Sequence, residues 1–407
     1  MTTEDAPQVA NSPAQHHHRP RGISKTTFFL SLALVGLVGF VAGTRADQLY
    51  AAIAPVFGIK ASAATLDTTV LQQAYRKLKA NFDGTLDDAA LADGAVRGMV
   101  AAADDKYTVF MDEKEATEFQ KDLNGQVSGI GCEIGVRSDQ PTVLRVLADS
   151  PAEKAGVQVG DVFVSVNGES VVGKDSSTVA EKIRGDAGTS VKIVVTRAAS
   201  KKEFTITRAQ VSDPSVRYSV ANGVGTMIIS RFDENTADLA VQAAQSFKSQ
   251  GVRGVVVDLR DNGGGYLEAA RKVAGIWLDS KLVVTEKSSG VTTDTVKTGS
   301  DTILAGIKTV VLVNGGSASA SEILAGALQD YGMATLVGEK TFGKGTVQNL
   351  LDLDGGRKLK VTIARWYTPK GKNITKEGIT PDKVVGLTSD DANNGRDPQL
   401  SAALALF

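Results

Sequence analysis

The run T-V-V-L-V-N-G-G-S-A-S-A-S-E-I-L-A-G-A-L-Q-D-Y-G-M-A-T-L-V-G-E-K-T-F-G-K-G-T-V-Q-N-L extends from Thr309 to Leu350, and its reading decides the fold. Val310–Val313 is a short apolar run of β-branched residues and leucine, the pattern of a buried strand. Asn314-Gly315-Gly316 supplies turn chemistry. Ser317, Ser319 and Ser321 then alternate with alanines and run into Glu322, Ile323, Leu324, Ala327 and Leu328, whose spacing predicts a helix starting among the serines. A hydroxyl at that point lies beside unpaired backbone N–H groups and the positive end of a helix dipole, where a developing oxyanion is stabilised. Strand, turn and helix in that order indicate a mixed α/β core with a nucleophile at the strand-to-helix turn.

A serine nucleophile needs a base, and composition narrows the choice. The three histidines, His16, His17 and His18, all lie in the N-terminal tail, and Cys132 is the one cysteine. A Ser-His-Asp triad or a Cys-His pair within the folded body is thereby excluded. A lysine kept neutral by burial is the remaining common base; its reference pKa of about 10.4 falls by several units on desolvation. Lys344, between Gly343 and Gly345 and just before the alternating run Thr346–Leu350, is the candidate. If that run is a strand, Lys344 and Gln348, four apart, project from the same face, and Gln348 then orients the amine as the third member of a triad does. Ser317 and Ser321 are read as capping or packing residues. The run Gly338–Lys344 nearly spells a phosphate-binding loop, but Gly345 stands where Ser or Thr is required and a strand-like segment follows, so a nucleotide site is rejected.

N-G-G-S-A-S-A-S-E followed by G-E-K-T-F-G-K-G-T-V-Q resembles the carboxyl-terminal processing peptidases, the tail-specific serine proteases of the S41 class. The resemblance implies Ser319 as nucleophile, Lys344 as general base and Gln348 as its partner. It also covers D-L-R-D-N-G-G-G at residues 258–265, and implies the backbone N–H groups of Gly265 and Ala320 as oxyanion donors. The core it implies is the crotonase-like and Clp-protease-like β/α arrangement. No metal or cofactor is implied. The alternative function is an inactive PDZ-type binding or scaffold protein at the cell surface, against which the intact Ser319, Lys344 and Gln348 argue.

The rest of the chain divides as follows. The 407 residues carry 42% hydrophobic residues, enough for a sizeable core, and 45 basic against 46 acidic side chains give no reason to expect nucleic-acid binding. Residues 1–25 read as a disordered cytoplasmic tail. Residues 26–44 are apolar and preceded by Arg19, Arg21 and Lys25, which favours an uncleaved transmembrane anchor with the catalytic part on the extracytoplasmic side of the cell membrane; a cleaved signal peptide is the competing reading.

Residues 45–124 form an N-terminal helical region with apolar stripes at Val70, Leu71, Ala74, Tyr75 and Leu78 and at Leu91, Ala95, Val96, Met99 and Val100. Such helices either pair subunits into a homo-oligomer or pack on the core. A third helix begins at the capping-box spacing of Asp112–Glu115, and Asp105–Met111 resembles the run that leads into the PDZ domain in this family.

Residues 125–210 resemble a PDZ domain, with Gly129, Ile130 and Gly131 as its carboxylate-binding loop and 150–156 and 160–168 as its most recognisable stretch. Substrates with free C-termini are the partners this implies, and Cys132 is read as a small buried residue. Residues 211–388 are the peptidase core, and 389–407 a C-terminal tail.

Overall fold

The computed structural model describes residues 25–44, 53, 64, 66–137, 140–300, 302–388, 390–391 and 394–407. They fall into two units, 1–87 and 88–407. In the first, helix α1 covers Lys25–Thr44 and helix α2 Thr69–Asn81. The stripe on α2 has helical spacing as expected, yet Val70, Leu71, Tyr75 and Leu78 are all exposed. Among the described residues no helix is long and apolar enough to cross a membrane, and several α1 side chains lie outside that set. The transmembrane helix expected over 26–44 therefore has no support in the structure. The tail up to residue 24, with its three histidines, lies outside the described residues.

The second unit begins with helix α3 (Asp88–Ala101), strand β1 (Val109–Met111) and helix α4 (Glu113–Leu123). The N-terminus of α4 is the reciprocal cap its sequence predicts: Glu115 N–H donates to Asp112 Oδ1 at 2.9 Å, and Asp112 N–H to Glu115 Oε2 at 3.0 Å.

The next module comprises β2 (Gln126–Gly129), β3 (Cys132–Arg137), β4 (Gln140–Val146), α5 (Pro151–Ala155), β5 (Val162–Val166), β6 (Glu169–Ser170), α6 (Ser176–Ile183), β7 (Ser190–Arg197), β8 (Ser200–Thr207) and β9 (Ala209–Ser212). Its sheet runs β3-β4-β5-β7-β8, with β6 on β5, while β2 pairs with β9. Val143, Phe163, Val191, Ile193 and Val195 fill its own core. The S-P-A-E-K-A-G stretch folds as its residues dictate: Ser150 Oγ accepts from Glu153 N–H, Pro151 opens α5, and Gly156 at φ 85° ends it.

The core follows with β10 (Val216–Ala221), β11 (Val224–Ile229), α7 (Thr236–Ser249), β12 (Gly254–Asp258), α8 (Leu267–Ala274), β13 (Leu282–Ser288), β14 (Val291–Lys297), β15 (Lys308–Val313), α9 (Ala320–Asp330), β16 (Ala334–Gly338), β17 (Thr346–Asp352), β18 (Lys358–Tyr367), β19 (Lys383–Val384) and α10 (Pro398–Leu404). One sheet runs β10-β11-β12-β15-β16-β19, parallel except for the β10–β11 hairpin.

Alternate side chains of its strands go to opposite faces. Val255, Val257, Val311 and Val313 pack with α7, α8 and α9, while Val256, Val310 and Leu312 pack with Ala403 of α10. The segment expected as a tail thus carries the helix that closes the second face of this sheet. Arg260 ties it down, donating to Asp397 Oδ1 at 3.1 Å and Oδ2 at 3.0 Å. A second sheet, β1-β18-β13-β14 with β17 beside β18, supplies the other wall of the cleft described next.

Candidate active site

β12 and β15 are parallel neighbours, so the loops leaving their C-terminal ends emerge side by side. The two loops are bonded to each other. Asn314 Nδ2 donates to Asp261 Oδ1 and Asp261 N–H to Asn314 Oδ1, each at 2.9 Å. Ser317 Oγ donates to Leu259 O at 2.7 Å, and Ser321 Oγ to Asn262 O at 2.8 Å. Both serines are fully buried and so serve the scaffold, as read from the sequence.

Ser319 stands between them at the N-cap of α9, with φ 55° and ψ −115°. A non-glycine residue held there carries strain of about 1–3 kcal/mol, which persists only where its surroundings over-determine it. Three contacts do so: Ser319 N–H donates to Glu322 Oε2 at 2.9 Å, Ser319 O accepts from Ile323 N–H at 2.9 Å, and Gly264 packs against it. A Cβ on Gly264 would lie 2.7 Å from Ser319 Cβ and 2.8 Å from Ala318 O, and φ +102° suits glycine alone.

Gly264 abuts the serine, and Gly265, the donor implied by resemblance, follows it. Gly265 instead faces Phe232, whose carbonyl would be 2.1 Å from an added Cβ. Its neighbours carry the bonds of that bridge, Phe232 N–H to Gly264 O and Tyr266 N–H to Phe232 O. Among the described residues neither the Gly265 N–H nor the Ala320 N–H, the first of α9, has an acceptor.

Glu322 was missed as a site residue, although S-x-x-E is a capping signature. Its buried carboxylate joins the serine turn to the lysine loop. Oε1 accepts from Thr341 Oγ1 at 2.6 Å and Gly343 N–H at 2.7 Å; Oε2 accepts from Ser319 N–H at 2.9 Å and Lys344 N–H at 3.0 Å. Lys344 is further fixed by Trp366, whose indole N–H donates to its carbonyl at 2.9 Å. Burial pushes the Lys344 amine below the ordinary lysine range, and the charge of Lys360 adds to this, while the Glu322 carboxylate works in the opposite direction.

The run 346–350 is strand, as expected, but its alternation does not reach back to Lys344. β17 starts at Thr346, after the lysine, and its register against β18 shifts between Val347 and Gln348. Gln348 Nε2 donates to Thr346 Oγ1 at 2.8 Å and weakly to Thr362 Oγ1 at 3.4 Å. The extra residue at that register shift is Ile363 on β18, which brings Thr362 opposite Gln348, and no strand-spacing rule anticipates such a bulge.

Ser319, Ala320, Gly264, Gly265, Lys344 and Gln348 line one cleft of about 560 Å³, with Ile323, Val347 and Trp366 on its apolar walls. In a second cleft, of about 660 Å³, Gly129, Ile130, Gly131 and Cys132 meet Ile134, Ile183 and Arg184. Ile130 O accepts from Ala152 N–H at 2.7 Å, and Gly131 O from Leu147 N–H at 3.0 Å. Burial, with the Asp161 charge adding to it, pushes the Cys132 thiol up to about 12, so it stays a protonated, inert side chain. Among the described residues no group of three or more His, Cys, Asp or Glu is placed to hold a metal ion.

One cleft of an α/β core joined to a small β module thus holds a strained serine at the head of a buried helix and a lysine whose charge is disfavoured by burial. Residues 223–385 match the S41 peptidase family, 142–197 a PDZ domain, and 56–115 the N-terminal domain of the activating protease CtpB. The probable CtpA-like serine protease of Staphylococcus haemolyticus is 37% identical over 369 residues, covering 89% of this chain and 73% of the relative. That of Staphylococcus saprophyticus is 36% identical over 317 residues, covering 77% of this chain and 65% of the relative.

Among solved structures, a photosystem II D1 C-terminal processing protease superposes with a TM-score of 0.53 at 32% identity, over 81% of this chain and 90% of that one. An S41 protease structure from Bacteroides fragilis shares the fold, with a TM-score of 0.59 at 18% identity over 85% of this chain and 98% of that one. The chain belongs to the S41 peptidases, as a serine protease of the C-terminal processing family.

Proposed function

We propose that this protein is an endopeptidase working with a Ser-Lys pair. Ser319 Oγ attacks the scissile carbonyl, and neutral Lys344 takes its proton and later returns one to the leaving amine. The Gly265 and Ala320 N–H groups hold the oxyanion, and Gln348 supports the lysine loop through Thr346 and Thr362. The observation that carries this reading is the joint fixing of both groups by Glu322, which accepts the backbone N–H of Ser319 and of Lys344 on one oxygen. A lysine amine whose charge is disfavoured by burial supports the role of base.

Substrate recognition is proposed for the PDZ module. A terminal carboxylate would be taken by the loop at Gly129, Ile130 and Gly131, with an apolar last side chain in the adjoining cleft beside Ile134 and Ile183. Holding the tail there raises the local concentration of the scissile bond at Ser319. Attachment to the membrane through residues 26–44 is kept as a proposal on composition: Phe28, Phe29, Leu30, Leu32, Leu34 and Val35 of α1 are all exposed. Pairing of two copies through the exposed stripe of α2 is likewise proposed.

The test uses one unstructured peptide. Ser319→Ala and Lys344→Ala are expected to abolish hydrolysis, while Ser317→Ala and Ser321→Ala retain much of it. Turnover at the wild-type rate by Ser319→Ala would sink the assignment.

A further inference from the structure

The Asp105–Thr108 turn has so far no part in the chemistry, yet it reaches the lysine. The Lys344 Nζ lies 5.4 Å from the centroid of the Tyr107 ring, within the range of a cation–π contact. The turn is built to hold that ring still. Asp105 accepts from Thr108 Oγ1 at 2.7 Å and from Tyr107 N–H at 3.2 Å, and Thr108 N–H donates to Asp105 O at 3.0 Å.

Thr362 N–H of β18 donates to Thr108 Oγ1 at 3.1 Å, and Val109, the first residue of β1, pairs with Lys360 of β18. β18 is also the strand whose Trp366 holds the Lys344 carbonyl. Main chain and side chain of the lysine are thus both referenced to β18, one through Trp366 and the other through Tyr107. Gln348 Nε2 donates to Thr346 and Thr362 at the start of the same strand pair.

We propose that Tyr107 is a positioning residue for Lys344: its ring holds the amine in the cleft and stabilises the ammonium that forms as the proton leaves Ser319. The inference rests on the Ser-Lys reading above. In the step concerned, the Ser319 Oγ forms a bond to the carbonyl carbon, the carbonyl π pair moves onto oxygen, and the hydroxyl proton passes to Lys344 Nζ. The ring quadrupole attracts the ammonium more strongly than the neutral amine, so its effect grows as the charge develops.

The other groups around the lysine are Glu322 in the first turn of α9, which favours its charge, and Lys360 on β18, which opposes it. Lys106, whose Nζ lies 4.9 Å from the centroid of the same ring, shares the Tyr107 quadrupole. Asp122, Arg231 and Glu286 line the wider cleft.

The experiment measures kcat and KM against pH for Tyr107→Phe and Tyr107→Leu on one unstructured peptide. Tyr107→Phe keeps the ring and is expected to stay near wild type. Tyr107→Leu is expected to lose between about ten- and a hundred-fold in kcat, the cost of a misplaced catalytic group, with KM unchanged. Its acidic limb should also move to lower pH, because a stabiliser of the charged form has gone and the lysine deprotonates more readily.

Wild-type kcat in Tyr107→Leu overturns the proposal, and so does a limb that moves upward toward the ordinary lysine range, which would make Tyr107 a shield against water. Should the leucine variant fail to fold, fluorinated phenylalanines at position 107 weaken the quadrupole at constant shape. They should lower kcat and the acidic limb step by step, and no trend overturns the proposal. Lys344→Ala separates the two readings: if it is inactive, these outcomes bear on Tyr107 alone, and if it retains activity both fall.

Discussion

Replacing Glu322 tests whether one carboxylate holds the two halves of the site together. It accepts four donors: Thr341 Oγ1 and Gly343 N–H on Oε1, Ser319 N–H and Lys344 N–H on Oε2. Glu322→Ala leaves all four without a partner, in a place where the side chain is fully buried. Each orphaned buried donor costs about 1–3 kcal/mol, so the loss is at least about 4 kcal/mol before any repacking. A domain has about 5–15 kcal/mol of stability in all, and 1 kcal/mol shifts the Tm of a 150–250-residue domain by roughly 2–4 °C. The core transition should therefore fall by about 8 °C or more, and peptide hydrolysis should be lost with it.

Glu322→Gln is the more informative variant. With its amide nitrogen toward Thr341, whose hydroxyl can turn to accept, it keeps an oxygen for Ser319 and Lys344 and leaves Gly343 N–H as the unmatched donor. That predicts a cost of about 1–3 kcal/mol and partial activity. Thermal unfolding and hydrolysis of an unstructured peptide, measured side by side, check the order wild type, Gln, Ala. A Glu322→Ala protein with wild-type Tm and rate would refute the reasoning, and a Gln variant as damaged as Ala would refute the donor count.

Gly264→Ala should cost about 1–3 kcal/mol of stability and roughly a hundred-fold in kcat, since its Cβ would stand 2.7 Å from Ser319 Cβ. Gly263→Ala, whose Cβ meets nothing within 4 Å, should unfold as wild type does. Activity should rise with pH through the depressed Lys344 ionisation, because the neutral amine is the active form. Lys360→Met removes a like charge and should move that limb to higher pH, while Lys344→Arg should be inactive, guanidinium staying charged at any working pH. An unmoved limb in Lys360→Met would refute the coupling. Amidating the C-terminus of a peptide that ends in an apolar residue should lower its kcat/KM markedly; equal efficiency of the two forms would remove the tail-binding role of Gly129, Ile130 and Gly131.

Local chemistry made much of this protein legible without coordinates. The buried run at Val310–Val313, the serine-studded start of α9, the capping box at Asp112 and the S-P-A-E-K-A-G helix all depend on neighbours a few residues apart. The absence of histidine after residue 18 leaves lysine as the base to propose, by elimination.

What only the tertiary structure decided involves distant partners. Gly264 rather than Gly265 abuts Ser319, because the β12 and β15 loops interlock through Asn314 and Asp261. Gln348 meets Thr362 because the pairing of β17 with β18 shifts by one residue there. Glu322 is a helix cap by its spacing, and becomes the junction of the site only when Thr341, Gly343 and Lys344 fold back onto it. Tyr107, more than two hundred residues from Lys344 in the chain, meets it through the pairing of β1 with β18. Hydrogen-bond geometry between segments far apart in sequence has no periodic signature, so such contacts appear only once the strands have found their partners.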